Sequence, residues 1–143
     1  MKRIRIVYIV ATAFMLSFKI NAQKSQKEIE LEKNKVEIFG HEEKANLQYY
    51  FYLKTKELGL NDEDEAEYYR ILLHYTYDMN RLNDKDQDNS EEEIKSKLKA
   101  LIKKMNSEIR TVLNEEQFKL HVKNFNDGLK AAYRKNNWKW DLD

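Results

Sequence analysis

Three histidines and a short acidic run are the residues whose types invite chemistry. His41, His74 and His121 are scattered along the chain, and no H-x-x-x-H or His/Cys pair offers a preformed divalent-metal site. Asp84, Asp86 and Asp88 have the D-x-D-x-D spacing that opens a calcium loop. Position 6 of that loop is Asn89 instead of Gly, and position 12 is Lys95 instead of Glu, so the pattern stops after its opening. The chain contains no Cys, which removes disulfides, metal thiolates and thiol nucleophiles. G-x-S-x-G, a Gly-rich phosphate loop and a His–carboxylate pair at a motif spacing are all missing from the sequence. Neither catalytic residue, metal ligand nor cofactor is expected, and the chain reads as a binding protein, not an enzyme.

Recognition chemistry is better represented. Tyr49, Tyr50, Phe51, Tyr52, Tyr68, Tyr69, Tyr75 and Tyr77 are eight of the chain's 17 aromatic residues, so one short region carries nearly half of them. Four consecutive aromatics on a helix point around about 300° of its circumference, and one core face cannot bury them all. The surplus must meet a second surface or face water. It suits first a homodimer interface or packing by the N-terminal segment, and second a surface for protein clients; one surface could serve both. Tyrosine offers area and a hydroxyl at low entropy cost. Arg70, His74, Tyr77 and Arg81 share a face at 4-3-4 spacing, and Lys119, Lys123, Lys130 and Arg134 form a second row. Both rows suit weak attraction of acidic or unfolded clients, or else are solvated helix faces. The candidate client or dimer surface is therefore Tyr49, Tyr50, Phe51, Tyr52, Tyr68, Tyr69, Arg70, His74, Tyr77 and Arg81.

The elements that must position these residues are helices. The chain has no Pro and only Gly40, Gly59 and Gly128, and period-2 runs are missing from its main part. A first firm helix is expected from about His41 to Leu58, with Gly59 as its stop. A second follows from Asn61 to about Leu82, then a polar loop over Asn83 to Asn89. Ser90 with Glu93 forms a capping box that opens a third helix to about Leu113, and a fourth runs from Asn114 to about Lys135. Tyr68, Leu72, Tyr75, Met79 and Leu82 form one apolar stripe. Ile94, Leu98, Leu101, Met105, Ile109 and Val112 form the next, and Phe118, Val122, Phe125, Leu129 and Ala132 the last. Spacing near 3.5 suits long helices packed at shallow angles. His121 falls at the edge of the last stripe, as a packed or surface residue. The tail Trp138-Lys139-Trp140 fits either docking on the end of the bundle or binding a partner.

Residues 1–22 have the layout of a cleavable export signal. Lys2, Arg3 and Arg5 precede an apolar run from Ile6 to Phe18, and Asn21-Ala22 supplies a cleavage site. The run is shorter than the roughly 20 residues that span a bilayer, so no stable membrane insertion is expected after cleavage, and the protein is expected in the periplasm or secreted. Cleavage leaves 121 of 143 residues, one domain by size, and turns 26 basic and 25 acidic residues into 22 and 25, net −3. A mildly acidic exported domain is a poor nucleic-acid binder. The expected organisation is a signal peptide (1–22), a charged N-terminal tail or frayed helix (23–40), a helical domain (41–137) and a C-terminal tail (138–143).

One phrase occurs twice, 53 residues apart: Leu60-Asn61-Asp62-Glu63-Asp64 and Leu113-Asn114-Glu115-Glu116-Gln117. Asn at the cap, with Asp64 or Gln117 three residues on, forms a reciprocal cap. Leu113 and Phe118 occupy the two positions of a hydrophobic staple. With the leader and four helices, this pattern resembles the Spy/CpxP-like periplasmic family, known for its L-T-x-x-Q motifs. The second copy keeps the Leu and the Gln, with Asn in place of Thr; the first keeps the Leu alone. The resemblance covers roughly residues 42–135. It implies an all-α fold, an antiparallel four-helix hairpin or cradle-like bundle, often dimeric. It also implies an ATP-independent chaperone-like protein of the cell envelope that binds clients or an envelope partner. The alternative is an envelope-stress regulatory or metal-responsive binding module of the same fold. Chaperone members of that family are basic, whereas this domain is slightly acidic.

Overall fold

The computed structural model describes residues 25–37 and 39–142, and its five regular elements there are all α-helices. The expected leader, residues 1–22, lies outside the described residues. None of the described helices is long and apolar enough to cross a membrane. The chain divides into two units, one ending at Lys35 and the other beginning at Val36. In the first unit α1 (Gln26–Asn34) starts at a capping box: the Glu28 amide donates to Ser25 Oγ at 3.2 Å and the Ser25 amide to Glu28 Oε2 at 2.6 Å. It buries none of its residues.

The second unit holds α2 (His41–Lys56), α3 (Asp62–Arg81), α4 (Glu91–Ile109) and α5 (Glu115–Lys135). Each of these helices starts where a side chain satisfies its orphan amides. Gly40 gives its amide to Glu43, and Ser90 and Glu93 form the reciprocal box at α4. Gly59 ends the turn after α2 at φ +62°, a left-handed conformation that costs a side-chain-bearing residue about 1 kcal/mol. Packing pairs α3 with α4 and α2 with α5. Ile71, Leu72, Tyr75, Met105, Ile109, Phe118 and Phe125 build the common core, with Leu58 and Leu113 closing one end.

The stripes of α3 and α4 face inward as their spacing predicts, with Tyr68, Leu72, Tyr75, Ile94, Leu98, Met105 and Ile109 all buried. In α5 the inner face is rotated. Phe118 and Phe125 are buried, but between them lies His121, not the half-buried Val122, and Asn124 and Tyr133 are buried as well. His121 takes a core position because hydrogen-bond partners meet both its ring nitrogens there, whereas the side-chain amide nitrogen of Asn124 is buried without a partner.

The acidic run between α3 and α4 is split by its own loop. Asp84 turns inward, where it accepts from the Val36 amide at 3.1 Å and pairs with Arg81, while Asp86 and Asp88 remain exposed. Asp88 takes φ 47°, which Asp tolerates better than most residues. Among the described residues no group of three His, Cys, Asp or Glu converges on a metal-sized space.

The C-terminal tail folds back on the helix it follows. Asn137 adopts φ 56°, its amide donates to the Arg134 carbonyl at 3.1 Å, and the Trp138 amide donates to the Tyr133 carbonyl at 2.9 Å. This is the double hydrogen bond of a Schellman stop, completed by Trp138 edge-on to Tyr133 at 5.5 Å. Trp140 meets the same ring at 5.0 Å, and Tyr133 is almost fully enclosed. Of the two expectations for the tail, docking is what the structure shows. Burial, first, and the nearby Asp141 push the Tyr133 hydroxyl up to about 12.

Candidate protein-interaction surface

The paired phrases cap α3 and α5 in related ways. Asn61 Oδ1 accepts from the Glu63 and Asp64 amides at 3.0 Å each, and Asn114 Oδ1 accepts from the Glu116 and Gln117 amides at 3.1 and 2.9 Å. Only the second copy closes onto the cap backbone, Gln117 Oε1 accepting from the Asn114 amide at 3.0 Å; Asp64 instead accepts from the Asn61 side-chain amide at 2.7 Å. The spare Gln117 Nε2 donates to the Leu58 carbonyl at 2.9 Å, tying the start of α5 to the end of α2. Asp64 has no such donor, so the tie runs one way. Leu113 and Phe118 are both buried, and Leu60 packs partly against the same core. Gln117→Glu keeps the acceptor for Asn114 but faces a carboxylate toward the Leu58 carbonyl. It is expected to lower the unfolding free energy by about 1–3 kcal/mol, read by urea titration.

Seven residues after each cap, the repeat meets itself. Tyr68 on α3 and His121 on α5, 53 positions apart, lie 3.0 Å from hydroxyl to Nδ1. His121 Nε2 is 3.1 Å from Asn106 Oδ1. Since Oδ1 only accepts, Nε2 carries the proton and Nδ1 accepts from Tyr68, an assignment from partners. Phe125 stacks on the imidazole at 5.8 Å, and burial lowers His121 to about 4. Burial likewise pushes the Tyr68 hydroxyl up. Tyr68, expected on the recognition surface, is therefore a core residue: at 4% exposure it anchors a buried polar chain.

The other aromatics divide between core and solvent. On α2, Phe51 reaches the core beside Phe125 at 5.9 Å, and the half-buried Tyr50 donates to the Asn124 carbonyl at 3.2 Å. Burial is the first cause that raises the Tyr50 hydroxyl. Tyr49 is 63% exposed, Tyr52 50% and Leu53 43%, while on α3 Leu73 is 64% and Tyr77 55% exposed. Tyr69 lies between the two groups, half-buried. Lys56 connects the helices: its ammonium sits 5.6 Å from the Tyr52 ring centroid and 2.7 Å from Glu65. Exposed apolar residues thus form a short strip on α2, Tyr49, Tyr52 and Leu53, and another on α3, Leu73 and Tyr77.

The cations of the α3 row are already engaged. Arg70 grips Glu67 with two bonds of 2.7 Å, which holds the carboxyl below its usual range. Lys54 pairs with Glu57 at 2.6 Å, and exposed His74 faces Asp78 at 3.9 Å. Arg81 departs furthest from the expectation. It is mostly enclosed against Asp84, because a buried carboxylate needs a counter-charge, so it belongs to the loop's framework and not to the recognition face. Lys119 and Lys123 of the second row are exposed. Both strips are aromatic and locally neutral. Sequence reading missed His121 as the centre of the core and Asn106 as its partner; the 53-residue offset from Tyr68 was the available signal.

Compared with known proteins, the chain matches no protein-family model, no curated protein and no solved structure.

Proposed function

We propose that this chain is an exported, ATP-independent protein-binding helical protein of the cell envelope, of the Spy/CpxP-like kind, with its four longer helices forming an antiparallel, cradle-like hairpin. The observation that carries the proposal is the set of Tyr49, Tyr52, Leu53, Leu73 and Tyr77, each between 43% and 64% exposed. Isolated exposed apolar residues are ordinary; several large ones clustered on the outer faces of two consecutive helices support an interaction surface. The leader-like residues 1–22 and the paired caps support the same reading. Binding would bury apolar client segments against the tyrosine rings, with each ring contact worth about 1 kcal/mol, roughly fivefold in affinity.

The test is suppression of aggregation of a chemically denatured client, followed by light scattering. Equimolar protein is expected to suppress it, and Tyr49→Ser with Tyr52→Ser to weaken suppression while leaving helical circular dichroism unchanged. Absence of suppression at any ratio overturns the chaperone reading. A single dominant partner captured from envelope extract would support the regulatory alternative instead.

Self-association through the same residues is the second reading. Five side chains about half exposed offer roughly 500 Å², so a symmetric pair covering all of them would bury about 1,000 Å², the minimum for a biological interface. The solution mass of the chain and of the double Tyr variant decides between the two readings.

A further inference from the structure

A second recognition feature lies on other helices. A groove of about 480 Å³ runs between α4 and α5. Ile102, Phe118, Val122 and Leu142 form its apolar floor and end wall, and its charged lining residues, Lys99, Lys103 and Arg110, are all cationic. Arg110 lies flat on Phe118, 3.9 Å from the ring centroid, which keeps its guanidinium at the groove edge. Asn106 also lines the groove, and since its Oδ1 is taken by His121, its amide nitrogen remains to donate there. Lys103 has no ion-pair partner among the described residues, and Arg110 has only an exposed pair to Glu115 at 3.3 Å.

The chain itself shows what such a groove accepts. Asp141, held by Tyr133 at 3.3 Å, bridges to Lys99 at 2.7 Å, and the next residue, Leu142, lines the groove. The Lys99 ammonium is the first cause that lowers the Asp141 carboxyl. An acid followed by an apolar residue thus fills one end, leaving Lys103, Arg110 and the Phe118–Val122 floor beyond it. We propose that the α4–α5 groove binds acidic peptide segments of a partner protein in which carboxylates alternate with apolar side chains, and that Asp141–Leu142 occupy its near end in competition with them. Carboxylates would meet Lys103 and Arg110 while an apolar side chain enters between Ile102 and Val122. This goes beyond the tyrosine strip and does not depend on it.

The probe is a fluorescein-labelled peptide in which Leu alternates with pairs of Asp, titrated with the full chain and read by fluorescence anisotropy. Two control peptides carry Lys for Asp or Gly for Leu. Binding of the acidic Leu peptide is expected, and raising salt from about 50 to about 200 mM should weaken it. Lys103→Glu should weaken it about tenfold, since a like charge replaces a partner. Asp141→Ala should tighten it about threefold by releasing the near end. Glu63→Ala, an equal change of charge outside the groove lining, should leave it nearly unchanged, whereas general charge attraction would treat the two alike. The proposal is overturned if the Lys peptide or the Gly peptide binds equally well, if Lys103→Glu has no effect, or if Tyr49→Ser with Tyr52→Ser abolishes binding.

Discussion

Lowering the pH from 7 to 5 should cost this fold about 2 kcal/mol through His121 alone, with the full effect, about 3 kcal/mol, reached below pH 4. The imidazole is 1% exposed and its affinity for a proton is lowered from 6.5 to about 4 by burial. Its folded value lies below the unfolded one, so the unfolded chain takes up the proton first as pH falls. Stability is therefore intact above about 6.5, declines through the window down to 4, and is fully lost from this source below it. Protonation would also place a donor on Nδ1 against the Tyr68 hydroxyl that now donates to it. Urea titrations at closely spaced pH values check this. In His121→Gln the decline between pH 6.5 and 4.5 should disappear, whatever the variant's stability at pH 7. An unchanged slope in that variant would refute the assignment. Exposed carboxylates such as Glu67 and Asp141, whose ordinary values of 4.5 and 3.8 are lowered, respond only at more acid pH, so the two effects separate.

The second large effect concerns one atom at position 128. A Cβ built on Gly128 would lie 2.6 Å from Cζ of Phe51 and 3.2 Å from Cε2. The ring cannot easily move, since it packs toward Phe125 and belongs to the core margin. In an open helix, Gly→Ala would add about 1 kcal/mol of stability; here overpacking costs about 1–3 kcal/mol and reverses that gain. Gly128→Val, bulkier and branched, should lose about 3 kcal/mol, near the top of that range. The decisive measurement is the double-mutant cycle with Phe51→Leu. Removing the ring's far edge should make Gly128→Ala nearly neutral, a coupling of about 1–2 kcal/mol. Strict additivity would show that the ring and the glycine do not share that space.

Helix positions were legible because local chemistry fixes them. Ser90 with Glu93, Asn61 and Asn114 each satisfy amides within three residues of themselves, so the starts of α3, α4 and α5 could be placed from neighbours in the chain. The stripes of α3 and α4 were legible for the same reason: their apolar residues are numerous and regularly spaced. In α5 the rule misled. Val122 is the apolar residue at the expected spacing, yet His121 holds the centre, since Tyr68 and Asn106 arrive from other helices to satisfy both its nitrogens. Gly128 carried no signal either, because its role exists only where Phe51 crosses α5.

The candidate surface divides along the same line. By itself the sequence determined that the described chain is helical, where its longer helices begin, and that α2 and α3 own more aromatic circumference than one core can cover. Tertiary structure alone decided that Tyr68 goes inside and Tyr49, Tyr52 and Tyr77 outside. It also decided that Arg81 neutralises Asp84 and that the C-terminal Trp residues close over Tyr133. Helix formation depends on bonds and caps a few residues apart, which composition and spacing encode. Which of several equivalent rings is buried depends on what approaches from segments some 50 residues away, and that information is present only once the helices have packed.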